Sequence, residues 1–127
     1  MIDTHTHLYV EAFDEDREEA IQNAISEGVT DFYIPAIDSD YHQRMFDLEK
    51  AYPERVHLMM GLHPTHVKEN FKEELDLVKY HLDARNFAAV GEIGIDLYWD
   101  KSFKAQQQNA FDQQICWAKS KPVSYTH

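Results

Sequence analysis

The chain has 127 residues and a formal net charge of −11, with 12 Lys and Arg against 23 Asp and Glu. This acidic balance argues against broad, non-specific binding to duplex nucleic acid, which depends on basic side chains at the phosphates. Hydrophobic residues make up 43% of the sequence, and no apolar run reaches the ~20 residues of a membrane-spanning helix. No basic segment followed by an apolar stretch opens the chain, so we expect no signal peptide. The single cysteine, Cys116, fits a reducing cytoplasm, and its helical surroundings predict a small packing residue.

Short apolar runs alternate with helical stripes along the chain. The opening run, from Met1 to Leu8, predicts a first strand. The later apolar runs predict strands over 30–36, 56–62 and 87–95, and the start of a fifth strand at Pro122 and Val123. Between the strands, the pattern predicts a helix over 13–27 that ends at Gly28 and a helix capped by Asp38 or Ser39 and ended by Pro53. Two further helices are indicated by apolar stripes, one of Phe71, Leu75, Val78 and Leu82, and one of Phe103, Gln107, Phe111, Ile115 and Ala118.

Strands that alternate with helices, in units of roughly 25–30 residues, predict an α/β fold with a parallel sheet. An open doubly wound sheet would place a glycine-rich phosphate site in its first turn, but the first turn here carries histidines and no glycine. Candidate ligands at the carboxyl ends of several strands favour a (β/α)₈ barrel, which needs ~250 residues. We therefore expect residues 1–127 to form a single incomplete barrel domain of four βα units and a fifth-strand stub. Such a half-barrel is either a piece of a longer protein or a chain that self-associates through its open edges.

Two histidines, His5 and His7, alternate with threonine at the end of the first run. Successive side chains of a strand point to opposite faces, so these two imidazoles share one face and can converge on a divalent cation. Histidine is the commonest metal ligand in proteins. The alternative is a pair of ordinary surface histidines. The pair gains weight as a metal site if acidic or histidine ligands recur at the ends of later strands.

Three later residues extend this candidate site. Glu92 lies between two glycines at the end of the fourth strand, and its carboxylate suits the bridging position of a site with metals ~3.5–4 Å apart. The alternative is a buried acid paired with Lys or Arg. His63 follows the third strand and is a candidate outer ligand or donor to a substrate phosphate; the alternative is a turn histidine before a proline. Asp96 follows the fourth strand and is a candidate for lining the mouth of the site or orienting a ligand.

The motifs Asp3–His7, Gly61–Pro64 and Gly91–Asp96 together resemble the TatD family of metal-dependent deoxyribonucleases. The likeness runs from Met1 to about Val123 and corresponds to the N-terminal half of a family member. It implies a TIM barrel, a divalent and often dinuclear site with Mg, Mn or Zn, and hydrolysis of DNA phosphodiesters. By motif match, the family's ligand positions fall on His5, His7 and Glu92.

One ligand position departs from the family pattern. The resemblance places a histidine four residues after a position like Pro122, where this chain has Thr126, and His127 comes one residue later. A shift of one residue turns a side chain to the opposite face of a strand. His127 is therefore the least suitable of the candidate metal ligands.

We expect, for the complete protein, a cytoplasmic hydrolase that uses two divalent metal ions to cleave DNA, with Glu92 as its catalytic bridging carboxylate. This chain alone is expected to be inactive or weak, because further ligands would lie beyond residue 127. Two alternatives stay open. One is another hydrolase of the amidohydrolase or PHP type, which also carry paired histidines, acting on small esters or amides. The other is a non-catalytic fragment that only packs or associates.

Overall fold

A computed structural model describes residues 1–121 and the backbone of strand residues 124–125. Within them, five strands form a parallel sheet in the order β1-β2-β3-β4-β5, and helices fill the connections. The bounds are β1 Ile2–Asp3, α1 Arg17–Ser26, β2 Asp31–Ile34, α2 His42–Ala51, β3 Val56–Met60, α3 Phe71–Ala84, β4 Ala89–Val90, α4 Lys104–Ser120 and β5 Ser124–Tyr125. The predictions for Pro122, Val123, Thr126 and His127 concern residues outside the part of the chain that the structure describes.

The core lies between the sheet and its helices. Phe32 and Ile34 on β2 alternate with less buried neighbours, as expected for side chains that point to opposite faces. The predicted stripe of α3 is buried at all four positions. On α4 the buried positions are Gln107, Ala110, Gln114 and Ala118, so the stripe is rotated from the predicted one and leaves Phe111 and Ile115 half-buried.

Further expectations about the elements are wrong. The fourth strand, expected over 87–95, covers only Ala89–Val90, so Glu92 lies beyond its end. Cys116 is exposed, because the rotated stripe of α4 turns it to the outer side of the helix. The first strand ends at Asp3, so His5 and His7 lie in the loop that follows it. That loop still runs beside β2, since the Thr6 amide donates to the Tyr33 carbonyl over 3.2 Å. Within residues 1–121, no helix is long and apolar enough to cross a membrane.

Hydrogen bonds join the segments that follow β2 and β4, two strands that are not neighbours in the sheet. The Ala36 amide, just after β2, donates to the Gly91 carbonyl over 3.0 Å, and the Glu92 amide donates to the Ala36 carbonyl over 3.2 Å. These bonds pass over the end of β3 at Gly61, where a Cβ would lie 2.9 Å from the Gly91 carbonyl carbon. The absence of a side chain at Gly61 therefore allows the segment after β4 to reach across the sheet.

Candidate metal centre

Three side chains meet at the carboxyl end of the sheet. His5 Nε2 lies 3.0 Å from Glu92 Oε2, and His7 Nε2 lies 3.3 Å from the same oxygen. One ligand atom from each of the three residues falls within 4.8 Å of the others. Donors bound tetrahedrally to zinc at ~2.0–2.2 Å are separated by about 3.4 Å, so these spacings are close to those of a metal site. Two imidazoles and a carboxylate also form a donor set suited to Zn, Mn or Fe.

His63 contacts Glu92 from the other side. Its Nε2 lies 3.1 Å from Glu92 Oε1. Its Nδ1 accepts a hydrogen bond from the Thr65 amide over 3.2 Å and lies 2.8 Å from the Thr65 hydroxyl. A neutral imidazole that accepts at Nδ1 carries its proton on Nε2. His63 therefore donates to the Glu92 carboxylate and leaves Oε2 facing His5 and His7.

Glu92 is held in its ionised form. Burial by itself would raise the pKa of this carboxyl, but the hydrogen bond from His63 and the neighbouring imidazoles of His7 and His5 outweigh burial and hold the pKa well below its usual range. The alternative of a buried acid paired with Lys or Arg is not what the geometry shows. Within residues 1–121, the basic side chains within 4 Å of the Glu92 carboxylate are the imidazoles of His5, His7 and His63.

Asp96 lies further along the same loop. An open cavity of about 450 Å³ extends from His63 and Glu92 past Asp96 to Tyr98, which is 82% exposed. The Asp96 carboxylate accepts from the Tyr98 amide over 3.0 Å, and the Asp96 backbone exchanges two hydrogen bonds with the Gln107 side chain. These contacts make Asp96 an organiser of the loop that borders the cavity.

Tyr9 was missed by the sequence analysis. Its hydroxyl lies 3.1 Å from His7 Nδ1, on the side of the ring away from Glu92. Burial, followed by the negative charges of Asp38 and Glu92, raises the pKa of the Tyr9 phenol well above its usual range, so it stays protonated. The available signal was the spacing, since His5, His7 and Tyr9 recur at every second position.

Known proteins share the sequence pattern and the fold of this chain. The family model described as "TatD related DNase" matches residues 2–124. The chain belongs to the TatD-related DNase family. The crystal structure of YjjV, a TatD homologue from Escherichia coli K12, superposes with a TM-score of 0.88 at 31% identity, over 98% of this chain and 49% of that one. The expected fold, the first half of a TIM-type barrel, is thereby confirmed.

Curated relatives show the same relation. YabD of Bacillus subtilis, named an uncharacterized metal-dependent hydrolase, is 33% identical over 94% of this chain and 46% of its own length. TatD of Pantoea ananatis, named a 3′-5′ ssDNA/RNA exonuclease, is 29% identical over 93% of this chain and 45% of its own length. The chain thus spans somewhat less than half the length of the curated relatives it matches.

Proposed function

We propose that this chain supplies the N-terminal half of the active site of a metal-dependent phosphodiesterase that acts on nucleic acid, with His5, His7 and Glu92 as ligands of a divalent cation. The observation that carries the proposal is the convergence of both imidazoles on Glu92 Oε2, at 3.0 and 3.3 Å. Membership of the TatD-related DNase family, and the name of the Pantoea relative as a 3′-5′ ssDNA/RNA exonuclease, support nucleic acid as the substrate class.

The chemistry that a bound divalent cation supplies here is to lower the pKa of a water molecule and to neutralise the charge of the phosphate. The protein's own side chains prepare the site for this. His5 and His7 offer ring nitrogens as donors, and Glu92 offers a carboxylate that is ionised at neutral pH. His63 orients that carboxylate through Oε1. The cavity beside them, bordered by Asp96 and Tyr98, is the proposed location of the phosphodiester.

The three converging residues suffice for one cation, since catalytic sites commonly use three protein ligands and one open position. Glu92 would also be available to a second cation, whose further donors would come from outside the described residues. We propose that these come from a C-terminal half of the barrel, or from a second copy of this chain joined through the edges at β1 and β5. The chain by itself is then a weak catalyst, and analytical ultracentrifugation distinguishes a monomer from a self-associated form.

A second candidate is hydrolysis of small esters or amides. The relatives YabD and YjjV are named only as uncharacterized metal-dependent hydrolases, and they are slightly more similar to this chain than the Pantoea exonuclease is. Hydrolysis rates on a single-stranded oligonucleotide and on a small phosphate ester, measured with the same cation, discriminate between the candidates. Preference for the oligonucleotide supports the nuclease proposal, and preference for the small ester overturns it.

The ligand assignment is tested by calorimetric titration of the metal-free chain with Mn²⁺ or Zn²⁺. We expect one saturable site that is lost in His5→Ala, His7→Ala and Glu92→Gln. His57→Ala is the matched control, because His57 lies within β3 and is bound to Asp31 over 2.8 Å. A wild-type chain without saturable binding, or equal losses in the control, would show that the three residues do not form the site.

A further inference from the structure

Tyr9 lies beneath the proposed ligand His7 and is almost completely buried, with 1% of its surface exposed. Its hydroxyl makes two short contacts. The hydroxyl donates to the carbonyl oxygen of Pro35 over 2.7 Å, and the same oxygen lies 3.1 Å from His7 Nδ1. These three groups form a continuous hydrogen-bonded line from the backbone after β2 to the imidazole.

The hydrogens available to these three groups determine which nitrogen of the His7 ring carries the proton. A tyrosine hydroxyl has one hydrogen, and a backbone carbonyl can only accept. Because the hydrogen of Tyr9 is used on Pro35, the bond to His7 must be donated by Nδ1–H. The neutral His7 ring then has its lone pair on Nε2, the atom that lies 3.3 Å from Glu92 Oε2.

Side chains from two helices bind the backbone at Tyr9, which restricts movement of the Tyr9 hydroxyl relative to Pro35 and His7. Arg17 and Arg44 each donate to the Tyr9 carbonyl over 3.1 Å. Both guanidinium groups also bind Asp14, at 2.8 and 2.7 Å. The Tyr41 ring packs against Tyr9 with its centroid 5.6 Å away. This network holds the phenol at a fixed distance from His7 Nδ1.

We propose that Tyr9 is a positioning residue that holds His7 in its Nδ1–H tautomer and so directs the Nε2 lone pair towards the cation. The metal part of this inference rests on the proposed function. A metal-bound histidine is generally oriented by the acceptor that its other nitrogen contacts. Here the acceptor is a buried phenol that is itself tied to a carbonyl. An Nε2 lone pair facing the Glu92 carboxylate has no proton to share with it, which makes a cation the matching partner.

The first test determines the tautomer of His7 in the metal-free chain. It is measured by nitrogen-15 NMR at a pH where the ring is neutral. We expect Nδ1–H in the wild type. In Tyr9→Phe, which keeps the ring and removes only the hydroxyl, we expect a shift to Nε2–H, because Nε2 can then donate to Glu92. Tyr41→Phe is the matched control, since the Tyr41 hydroxyl donates to Glu11 and not to the site. An Nε2–H wild type, or an unchanged tautomer in Tyr9→Phe, would overturn the inference.

The second test is Zn²⁺ affinity by calorimetry on the same three proteins, after circular dichroism has shown that they fold. Loss of an outer contact of this kind weakens metal affinity 10–100-fold in general, and we expect a loss in that range for Tyr9→Phe and none for Tyr41→Phe. Equal affinity in Tyr9→Phe and wild type would refute the positioning role. A wild type that binds no Zn²⁺ would refute the proposed function alone, because the tautomer is measured without metal.

Discussion

His63 donates from Nε2 to Oε1 of Glu92 over 3.1 Å, opposite the oxygen that faces His5 and His7. Two of the three histidines at the carboxylate, His63 and His7, therefore present opposite chemistry to it. His63 supplies a hydrogen because Thr65 occupies its Nδ1, whereas His7 supplies a lone pair because its Nδ1 donates to Tyr9. Residue type alone does not distinguish these two roles; the partner of the second ring nitrogen does.

Replacing His63 is expected to weaken the site without abolishing it. In His63→Ala, Glu92 loses the donor that orients Oε1, and affinity for Mn²⁺ should fall 10–100-fold by calorimetry. His66→Ala is a suitable control, because His66 lies in the same turn and pairs with Asp38 over 2.6 Å. A loss as complete as that of Glu92→Gln would instead identify His63 as a direct ligand.

Gly61→Ala should disturb both stability and cation binding. The new Cβ would lie 2.9 Å from a backbone atom of Gly91, next to Glu92, so the segment must move. Overpacking of this kind destabilises by about 1–3 kcal/mol, measured by urea unfolding. Gly28→Ala is the comparison: its φ of +101° makes a side chain there strained, but nothing lies within 4 Å. We expect Gly28→Ala to lower stability only, and a normal cation affinity in Gly61→Ala would contradict the close-approach explanation.

Gln114→Ala should destabilise the fold by about 1–3 kcal/mol, because it leaves a buried amide without its acceptor. Gln114 is 1% exposed and accepts from the Leu62 amide over 2.7 Å, which ties α4 to the segment after β3. The free energy of unfolding is measured in urea for Gln114→Ala and for Gln113→Ala, a control at the neighbouring exposed position. We expect the loss only in Gln114→Ala. Equal unfolding free energies for the two variants would show that this hydrogen bond contributes little.

Stability should fall as the pH drops from about 6.5 towards 4 because of His42. This side chain is 5% exposed, and within residues 1–121 its Nε2 has no hydrogen-bond partner. Burial, followed by repulsion from His81, lowers the pKa of His42 from 6.5 to about 4. Below about pH 6.5 the unfolded chain therefore binds the proton before the folded chain does, and the folded state loses about 2 kcal/mol by about pH 5.

The measurement for His42 is the unfolding free energy at about pH 7 and about pH 5, in wild type and in His42→Leu. The variant has no group to protonate at this position, so its decline with falling pH should be smaller by about 2 kcal/mol. Parallel declines in the two proteins would mean that His42 titrates alike in the folded and unfolded states.

The parallel sheet and the meeting of His5, His7 and Glu92 could be predicted, because the apolar runs indicate the topology and the resemblance of the motifs to a known family points to these three residues. The path of the chain around the site could not. A period of two residues does not distinguish a strand from an extended loop, so the residues after Asp3 were assigned to β1. The bonds of Ala36 to Gly91 and Glu92 join segments far apart in sequence, and no local pattern indicates them.

Buried polar side chains limited the prediction of α4 in the same way. Gln107 was placed correctly in the stripe, but Gln114 looks like a surface residue until its bond to the Leu62 amide is known. Favouring the large apolar residues after Gln107 shifted the predicted stripe towards Phe111 and Ile115, whereas the buried positions are Ala110 and Gln114. The role of Tyr9 was not predicted for a related reason. Its partners, the Pro35 carbonyl and His7 Nδ1, are single atoms whose positions no residue pattern indicates.

The residues of the centre are far apart along the chain, since Glu92 follows His5 by 87 positions. A cation held between them would stabilise the folded β1–β4 segment as a whole, because the unfolded chain has no comparable arrangement of donors. We call this set of His5, His7 and Glu92 with its cation the clasp. Binding only to the folded state adds about 2.7 kcal/mol when the free ion is at a hundred times its dissociation constant. A chelator should therefore lower the melting temperature of this chain even before any substrate is added, and thermal stability would report occupancy of the clasp.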